Sequence, residues 1–388
     1  MKEFKTIVDE YKKLDLASRK VALATVVKVR GSSYRSPGAR MLIMDDGKWV
    51  GSISGGCLEG DALRRARQVM ATEKALVVTY DTREENNQNL GISLGCNGII
   101  DVLIEPVISH HEHNPIRQFE KLVQKNKPVV IATGCGDDAF IGKKIIYDEE
   151  KGLFDTVNNP PLKKRIVKDL ARLFTEPNSK VNTYTTGEFK TEVFLELVQP
   201  SISLAIFGGG FDARPVSQLA HAMGWDVTVT DECIAHIAPL FFPEAKNLTL
   251  CHRDTFDREI NVTPYTSCVL MSHNYEYDRD VLKKLVRTEA PYIGILGPRK
   301  RFNKMLEEFQ KEGIDLNQDD LHKIHSPIGL DIGAETPDEI ALSIISEIQS
   351  KFSKRSGGFL KYRQGPIHYR DANGDQVFKQ VYINTIPT

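Results

Sequence analysis

The chain has 388 residues, of which 41% are hydrophobic and 27% charged, with a formal net charge of −1 at pH 7. That composition is ordinary for a globular protein and long enough for more than one core. The charge balance lacks the basic excess that nucleic acid or an anionic membrane would attract, and no apolar run approaches the roughly 18 residues of a membrane span.

In chain order, the first twenty residues, MKEFKTIVDEYKKLDLASRK, read as a charged amphipathic helix without a signal-peptide core, which gives a cytoplasmic expectation. Apolar runs follow at Val21 to Val29 and Met41 to Asp45, and Lys48 to Ile53 alternates like a strand. Leu58 to Ala71 carries apolar residues at helical spacing. Between the last two lies SGGCLEG, Ser54 to Gly60, which places Cys57 at a strand-to-helix turn. Free N–H groups and the helix dipole favour an anion there, a thiolate included, and Gly55 and Gly56 leave room for close approach. Strands are expected near Ala75 to Tyr80 and Ile99 to Val107. The polar run Asp81 to Asn89 between them reads as a loop leading into LGCNG, where Cys96 is again flanked by glycine. The six cysteines, Cys57, Cys96, Cys135, Cys233, Cys251 and Cys268, form no CxxC pair, which argues against a disulfide framework or a structural zinc. His110, His111 and His113 precede Asn114-Pro115 and read as a solvated linker.

Residues from about 116 to 200 carry a helix, the strand PVVIAT, a hairpin strand through Ile146, a helix near Leu162 to Phe174 and a strand at Val193 to Val198. They read as an extension of the N-terminal sheet. Gln199-Pro200-Ser201 punctuates the chain, and from Ser201 strand and helix signals alternate regularly, which predicts a parallel sheet covered on both faces. Thr336, Pro337 and Glu339 form a capping box opening a last long helix to about Phe352. The fold expected is therefore α/β: a mixed α+β domain over 1–200, a Rossmann-like doubly wound domain over 201–354, and a tail over 355–388 with a hairpin signal at Ala372-Asn373-Gly374.

Gly208, Gly210 and Ala213 in FGGGFDARP form GxGxxA directly after the strand Leu204 to Phe207 and directly before a helix. Asp231 ends the next strand about twenty residues on, where a dinucleotide fold places its ribose carboxylate. The helix start would hold a phosphate, Pro215 is tolerated in the first turn, and Arg214 adds a cation. His273 and Asn274 after CVLMS, and Arg299 after YIGILGP, stand where a doubly wound sheet places ligands.

Several motifs in one order carry a resemblance over most of the chain. They are GSSYRSPGARMLI (31–43), VGSISGGCLEG (50–60), LGCNGIIDVLIEP (94–106), FGGGFDARP, VLMSHNYEYD (269–278), YIGILGPRKR (292–301) and HSPIGLDIGAETPDEIALSI (325–344). With them the chain resembles the XdhC/CoxI family of accessory proteins for molybdenum hydroxylases of the xanthine dehydrogenase type. The resemblance implies a chaperone rather than an enzyme. Such a protein binds the molybdenum cofactor transiently, holds it while a cysteine desulfurase supplies the terminal sulfido ligand, and passes it to the hydroxylase. It also implies a homodimer. Cys57 is then the sulfur ligand to molybdenum, with Arg40 and Glu59 shaping its pocket. Cys96 is a second thiol, and Arg35 supplies a further fork-shaped donor. Gly208, Gly210, Ala213, Asp231, His273 and Arg299 line a crevice for a nucleotide, NAD(P) or the pterin phosphate.

The chain departs from the family pattern in three places. GGGFDA stands where GAGHVG is usual, Asn274 where aspartate follows the histidine, and Pro298 where serine is common. Two other functions are expected to compete: an NAD(P)-dependent oxidoreductase using the Rossmann domain, and a non-catalytic scaffold that docks the hydroxylase.

Overall fold

The computed structural model describes residues 1–83 and 98–363, and these divide into two compact units, Met1–Pro200 and Ser201–Arg363. Cys96 and the Ala372-Asn373-Gly374 turn lie outside the described residues.

The first unit runs α1 (Lys2–Lys13), β1 (Val21–Gly31), β2 (Arg40–Met44), β3 (Trp49–Gly51), α2 (Glu59–Thr72), β4 (Leu76–Asp81), β5 (Gly98–Val107), α3 (Pro115–Val123), β6 (Val129–Gly134), β7 (Lys144–Tyr147), β8 (Gly152–Asp155), α4 (Pro160–Arg172), β9 (Lys180–Thr186) and β10 (Phe189–Val198). Its strands form two five-stranded antiparallel sheets, β3-β2-β1-β5-β4 and β8-β7-β6-β10-β9. Residues 116–200 thus build a second sheet, contrary to the expectation that they extend the first. The physical reason is that β6 pairs with β10 and β7, leaving it no free edge for β1 to β5.

Burial on both faces explains why these strands read as long apolar runs rather than clean alternations. Val21 and Leu23 of β1 join α1, α3 and residues of the second sheet in one core, while Ala22, Ala24 and Val26 point the other way and pack on α2. Helix α4 covers the second sheet through Leu162, Ile166 and Leu170. Asn114 and Asn159 cap α3 and α4, each just before a proline at the helix start. The three histidines therefore sit in the turn that enters α3.

The second unit runs β11 (Ser203–Phe207), α5 (Ala213–Ala222), β12 (Asp226–Asp231), β13 (Asn247–Leu250), α6 (Phe256–Glu259), β14 (Thr266–Leu270), α7 (Tyr275–Leu285), β15 (Tyr292–Ile295), α8 (Arg299–Lys311), α9 (Gln318–His322), β16 (Ile324–His325) and α10 (Pro337–Phe352). The six strands are parallel in the order β13-β12-β11-β14-β15-β16. That is the doubly wound Rossmann order, with its switch point between β11 and β14. Leu204 and Ile206 face α5 and α10, whereas Ala205 and Phe207 face α7 and α8. The capping box expected for α10 is present. Helix α7 starts at Tyr275, because Asn274 accepts from the N–H groups of Glu276 and Tyr277. No helix among the described residues is long and apolar enough to cross a membrane.

Candidate functional site

Cys57 lies in the loop between β3 and α2, directly before the N-cap Leu58, and is half-buried against the α2 side of the first sheet. The loop is organised by Glu59, whose side chain turns back from the first helical position. Its carboxylate accepts from five backbone amides: Ile53 at 3.1 Å, Ser54 at 2.9 Å, Gly55 at 3.2 Å, Gly56 at 2.9 Å and Leu58 at 3.1 Å. The hydroxyls of Ser52 and Ser54 also donate to it. Glu59 is 3% exposed. Burial alone would raise its pKa, but the Ser54 and Ser52 donors together with the amides outweigh that and hold the carboxyl at about 2.

The amides of the loop leading to Cys57, and that of the N-cap Leu58, are thus committed to an internal carboxylate. What remains at Cys57 is access. Gly56 has φ +123° and nothing within 4 Å of where a Cβ would stand. Gly55, at φ +90°, carries the ring of Tyr34, whose Cδ1 is 2.8 Å from the corresponding position; Tyr34 is 66% exposed. Sequence reasoning passes over Tyr34. The signal available is an aromatic residue inside a glycine- and serine-rich loop.

The glycine-rich turn after β11 repeats this device. Asp231 accepts from the Gly209 N–H at 2.8 Å and from the Cys233 N–H at 2.8 Å, and its Oδ2 lies 3.2 Å from His236 Nδ1. The carboxylate that would receive a ribose is 8% exposed and committed to its own turn. Gly208, at φ +119°, passes so close to the end of β14 that a Cβ would collide with the Ser272 backbone, and a Cβ on Gly209 would stand 2.6 Å from the His236 carbonyl. Gly210 has more room, with His273 Cδ2 at 3.5 Å. Ala213 is fully buried in the core under α5. Arg214 stacks on Phe241 at 3.9 Å, and among the described residues its buried Nε has no hydrogen-bond partner. The Asp231 carboxylate that a dinucleotide's ribose would use is engaged here with the Gly209 N–H and lies beside His236.

A pocket of about 230 Å³ opens instead beyond the carboxyl ends of β14 and β15, lined by Met271, His273, Asp278, Leu296, Gly297, Pro298 and Arg301. Asp278 accepts from the Ser272 hydroxyl at 2.6 Å and from Arg301 Nη2 at 2.8 Å. Burial pushes its carboxyl above the usual range despite those donors. His273 adopts φ +60° and places Nε2 3.4 Å from the Asp212 carboxylate. Arg299 is exposed at the start of α8, and the cation lining the pocket is Arg301, two residues further on.

Comparison with known proteins agrees with this architecture. The model described as the XdhC Rossmann domain matches residues 204–348, and the one described as the XdhC and CoxI family matches residues 15–81. A protein of Bacillus subtilis (strain 168), named as a probable xanthine dehydrogenase subunit, is 30% identical over 331 residues, 84% of this chain and 91% of that protein. The chain belongs to the XdhC and CoxI family. The molybdenum cofactor insertion chaperone PaoD of Escherichia coli (strain K12) is 22% identical to this family member over 337 residues, 86% of this chain and 84% of PaoD. A crystal structure of a xanthine dehydrogenase from Bacillus halodurans superposes with a TM-score of 0.72 at 27% identity, covering 90% of this chain and 97% of that one.

Within this XdhC and CoxI family chain, one expected site residue takes a different place. Arg40, expected beside Cys57, is 2% exposed and directs its guanidinium to Glu196 of β10, with Nη2 to Oε2 at 2.5 Å and Nη1 to Oε1 at 3.0 Å. It also lies over the rings of Phe4 and Phe119. Arg40 and Glu196 form a buried pair joining the two sheets, because β2 is buried along its whole length and offers the side chain no solvent. Arg35 pairs with Glu3 of α1. Asn274, where the family pattern has aspartate, serves as the α7 cap. Among the described residues no group of three or more His, Cys, Asp or Glu side chains is placed to hold a metal ion.

Proposed function

We propose that the protein is an accessory factor that takes up the molybdenum cofactor and delivers it to a molybdenum hydroxylase of the xanthine dehydrogenase type. The observation that carries this reading is the Cys57 loop: a half-buried thiol beside an open glycine, on a backbone fixed in advance by Glu59. A soft sulfur so displayed suits molybdenum, and a fixed loop loses little conformational entropy on binding. The likeness to PaoD supports the same cargo.

In this reading Cys57 binds the metal centre, and Glu59 holds the loop. Binding is transient, and a cysteine desulfurase supplies the terminal sulfur while the cofactor is held. The protein acts in the cytoplasm, as a homodimer, with residues 1–200 and 201–354 as its domains and 355–388 as a tail. An oxidoreductase reading is less well supported, since Asp231 and the Gly209 N–H are engaged with each other.

The test mixes the purified full chain with free molybdenum cofactor, separates the two by gel filtration, and measures molybdenum in the protein fraction. Wild type should retain near-stoichiometric metal, and Cys57→Ala less than about a tenth of it, the loss of a direct ligand being worth at least a factor of ten. No retention by wild type, or equal retention by Cys57→Ala, overturns the assignment.

A further inference from the structure

The loop from β1 to β2 lifts the ring of Tyr34 into solvent while its neighbours are tied down. Tyr34 is 66% exposed. Ser33 beside it is buried, and its hydroxyl donates to the Arg35 carbonyl at 2.7 Å; Arg35 in turn pairs with Glu3 of α1. The anchored backbone therefore presents the ring instead of folding it inward. An exposed tyrosine is ordinary in itself, so what it rests on decides what it can do.

It rests on the Cys57 loop. Ring carbons Cδ1, Cε1 and Cγ stand 2.8, 2.9 and 3.3 Å from where a Cβ on Gly55 would be, so any side chain at that position would push the ring away. One residue on, Gly56 has nothing among the described residues within 4 Å of its own Cβ position, so open space begins beside the ring's seat. Two residues of chain span at most about 7 Å, which bounds the separation of that seat from the Cys57 backbone. The loop is held still by Glu59, which accepts from the Gly55 and Gly56 N–H groups at 3.2 and 2.9 Å. An aromatic surface, an opening and a sulfur thus fall within the length of one small heterocyclic ligand. Tyrosine offers flat contact area for the ordering of only two side-chain torsions, and at 66% exposure the ring keeps a face free. A planar heterocycle laid on it gains what a nucleobase gains on an aromatic platform.

We infer that Tyr34 is a stacking platform for the planar aminopyrimidinone ring of a pterin, beside Cys57. The choice of pterin rests on the cofactor-carrier reading above. Within that reading the labour is divided: Cys57 takes the metal end of the cargo, and Tyr34 takes its organic ring and sets the orientation in which the metal arrives.

The test is a fluorescence titration of the full chain with 6-carboxypterin, a pterin without metal, in which stacking is read as quenching. Wild type and Cys57→Ala should bind it alike. Tyr34→Phe keeps the ring and should bind within about twofold of wild type, whereas Tyr34→Leu should bind at least about tenfold more weakly. Leucine retains apolar bulk over Gly55 and removes only the aromatic face, and the exposure of the site predicts a urea midpoint equal to that of wild type. No binding by wild type, equal binding by Tyr34→Leu, or a loss in Tyr34→Phe or Cys57→Ala as large as that in Tyr34→Leu overturns the proposal. Molybdenum retention, on which the carrier reading stands, is lost through Cys57, and the metal-free titration is lost through Tyr34, so failure of one is distinguished from failure of the other.

Discussion

The loop before α2 and the turn before α5 share one plan. Each follows a strand, each is glycine-rich, and each aims backbone amides at a carboxylate of the same protein. They differ in degree and in what the glycines are for. Glu59 collects five amides from one short loop, whereas Asp231 collects two. Gly56 faces open space, whereas Gly208 is pressed against the Ser272 backbone. A glycine-rich strand-to-helix turn therefore has two physical readings. It can leave amides for a ligand, or it can fold them onto its own anion and use glycine to make room. Here both turns do the second, and only the Cys57 loop keeps an approach open beside it.

The largest contrast lies in the glycines. Gly208→Ala combines a forbidden φ with a Cβ driven into the Ser272 backbone, which cannot move without shifting β14. It should cost about 4 kcal/mol, read as a lower urea midpoint for the Rossmann unit. Gly56→Ala meets only the backbone cost, about 2 kcal/mol. Equal losses at the two positions would break the distinction between room for packing and room for access.

The carboxylates give the next contrast. Glu59→Gln keeps the shape but removes the charge, and two or more amides lose their acceptor. The unit containing Cys57 should lose about 3 kcal/mol at pH 7. The pH dependence has a definite sign. The folded-state carboxyl is held at about 2, below its ordinary value of 4.5, so its contribution is complete above about pH 4.5 and is lost as pH falls towards 2. Wild type and Glu59→Gln should therefore converge in urea stability across that acid window. A difference that persists unchanged at pH 2 would mean that charge is not what holds the loop.

What is legible in the sequence follows from range. The strand–helix alternation after Ser201, the Thr336 to Glu339 capping box and the position of Asp231 at a strand end are set by residues within a few turns of one another. The use made of Asp231 is not legible, because the donors that claim it come from the preceding turn and from His236. Arg40 shows the limit more strongly. Its fork-shaped side chain near the SGGC loop suggests an oxyanion, but its partner is Glu196, 156 residues away in a separate sheet. Arg301 falls between: the motif YIGILGPRKR contains it, and the strand-end rule selects Arg299, while helical geometry brings Arg301 to Asp278.

The smallest effect tests whether the Asp231 turn is as dispensable for anchoring as its two amides suggest. In Asp231→Asn the side-chain carbonyl can still accept from one of the Gly209 and Cys233 N–H groups, and the amide nitrogen faces the other donor. The loss should be about 1 kcal/mol in urea unfolding, a third of that at Glu59, because Gly208 and the β11–β14 contact hold the turn independently of the carboxylate. If Asp231→Asn instead gains affinity for NADH in calorimetry, the carboxylate is what closes the crevice and its internal bonds are the barrier. If it costs as much as Glu59→Gln, the two turns depend on their anions equally, and the open glycine beside Cys57 becomes the one feature that separates them.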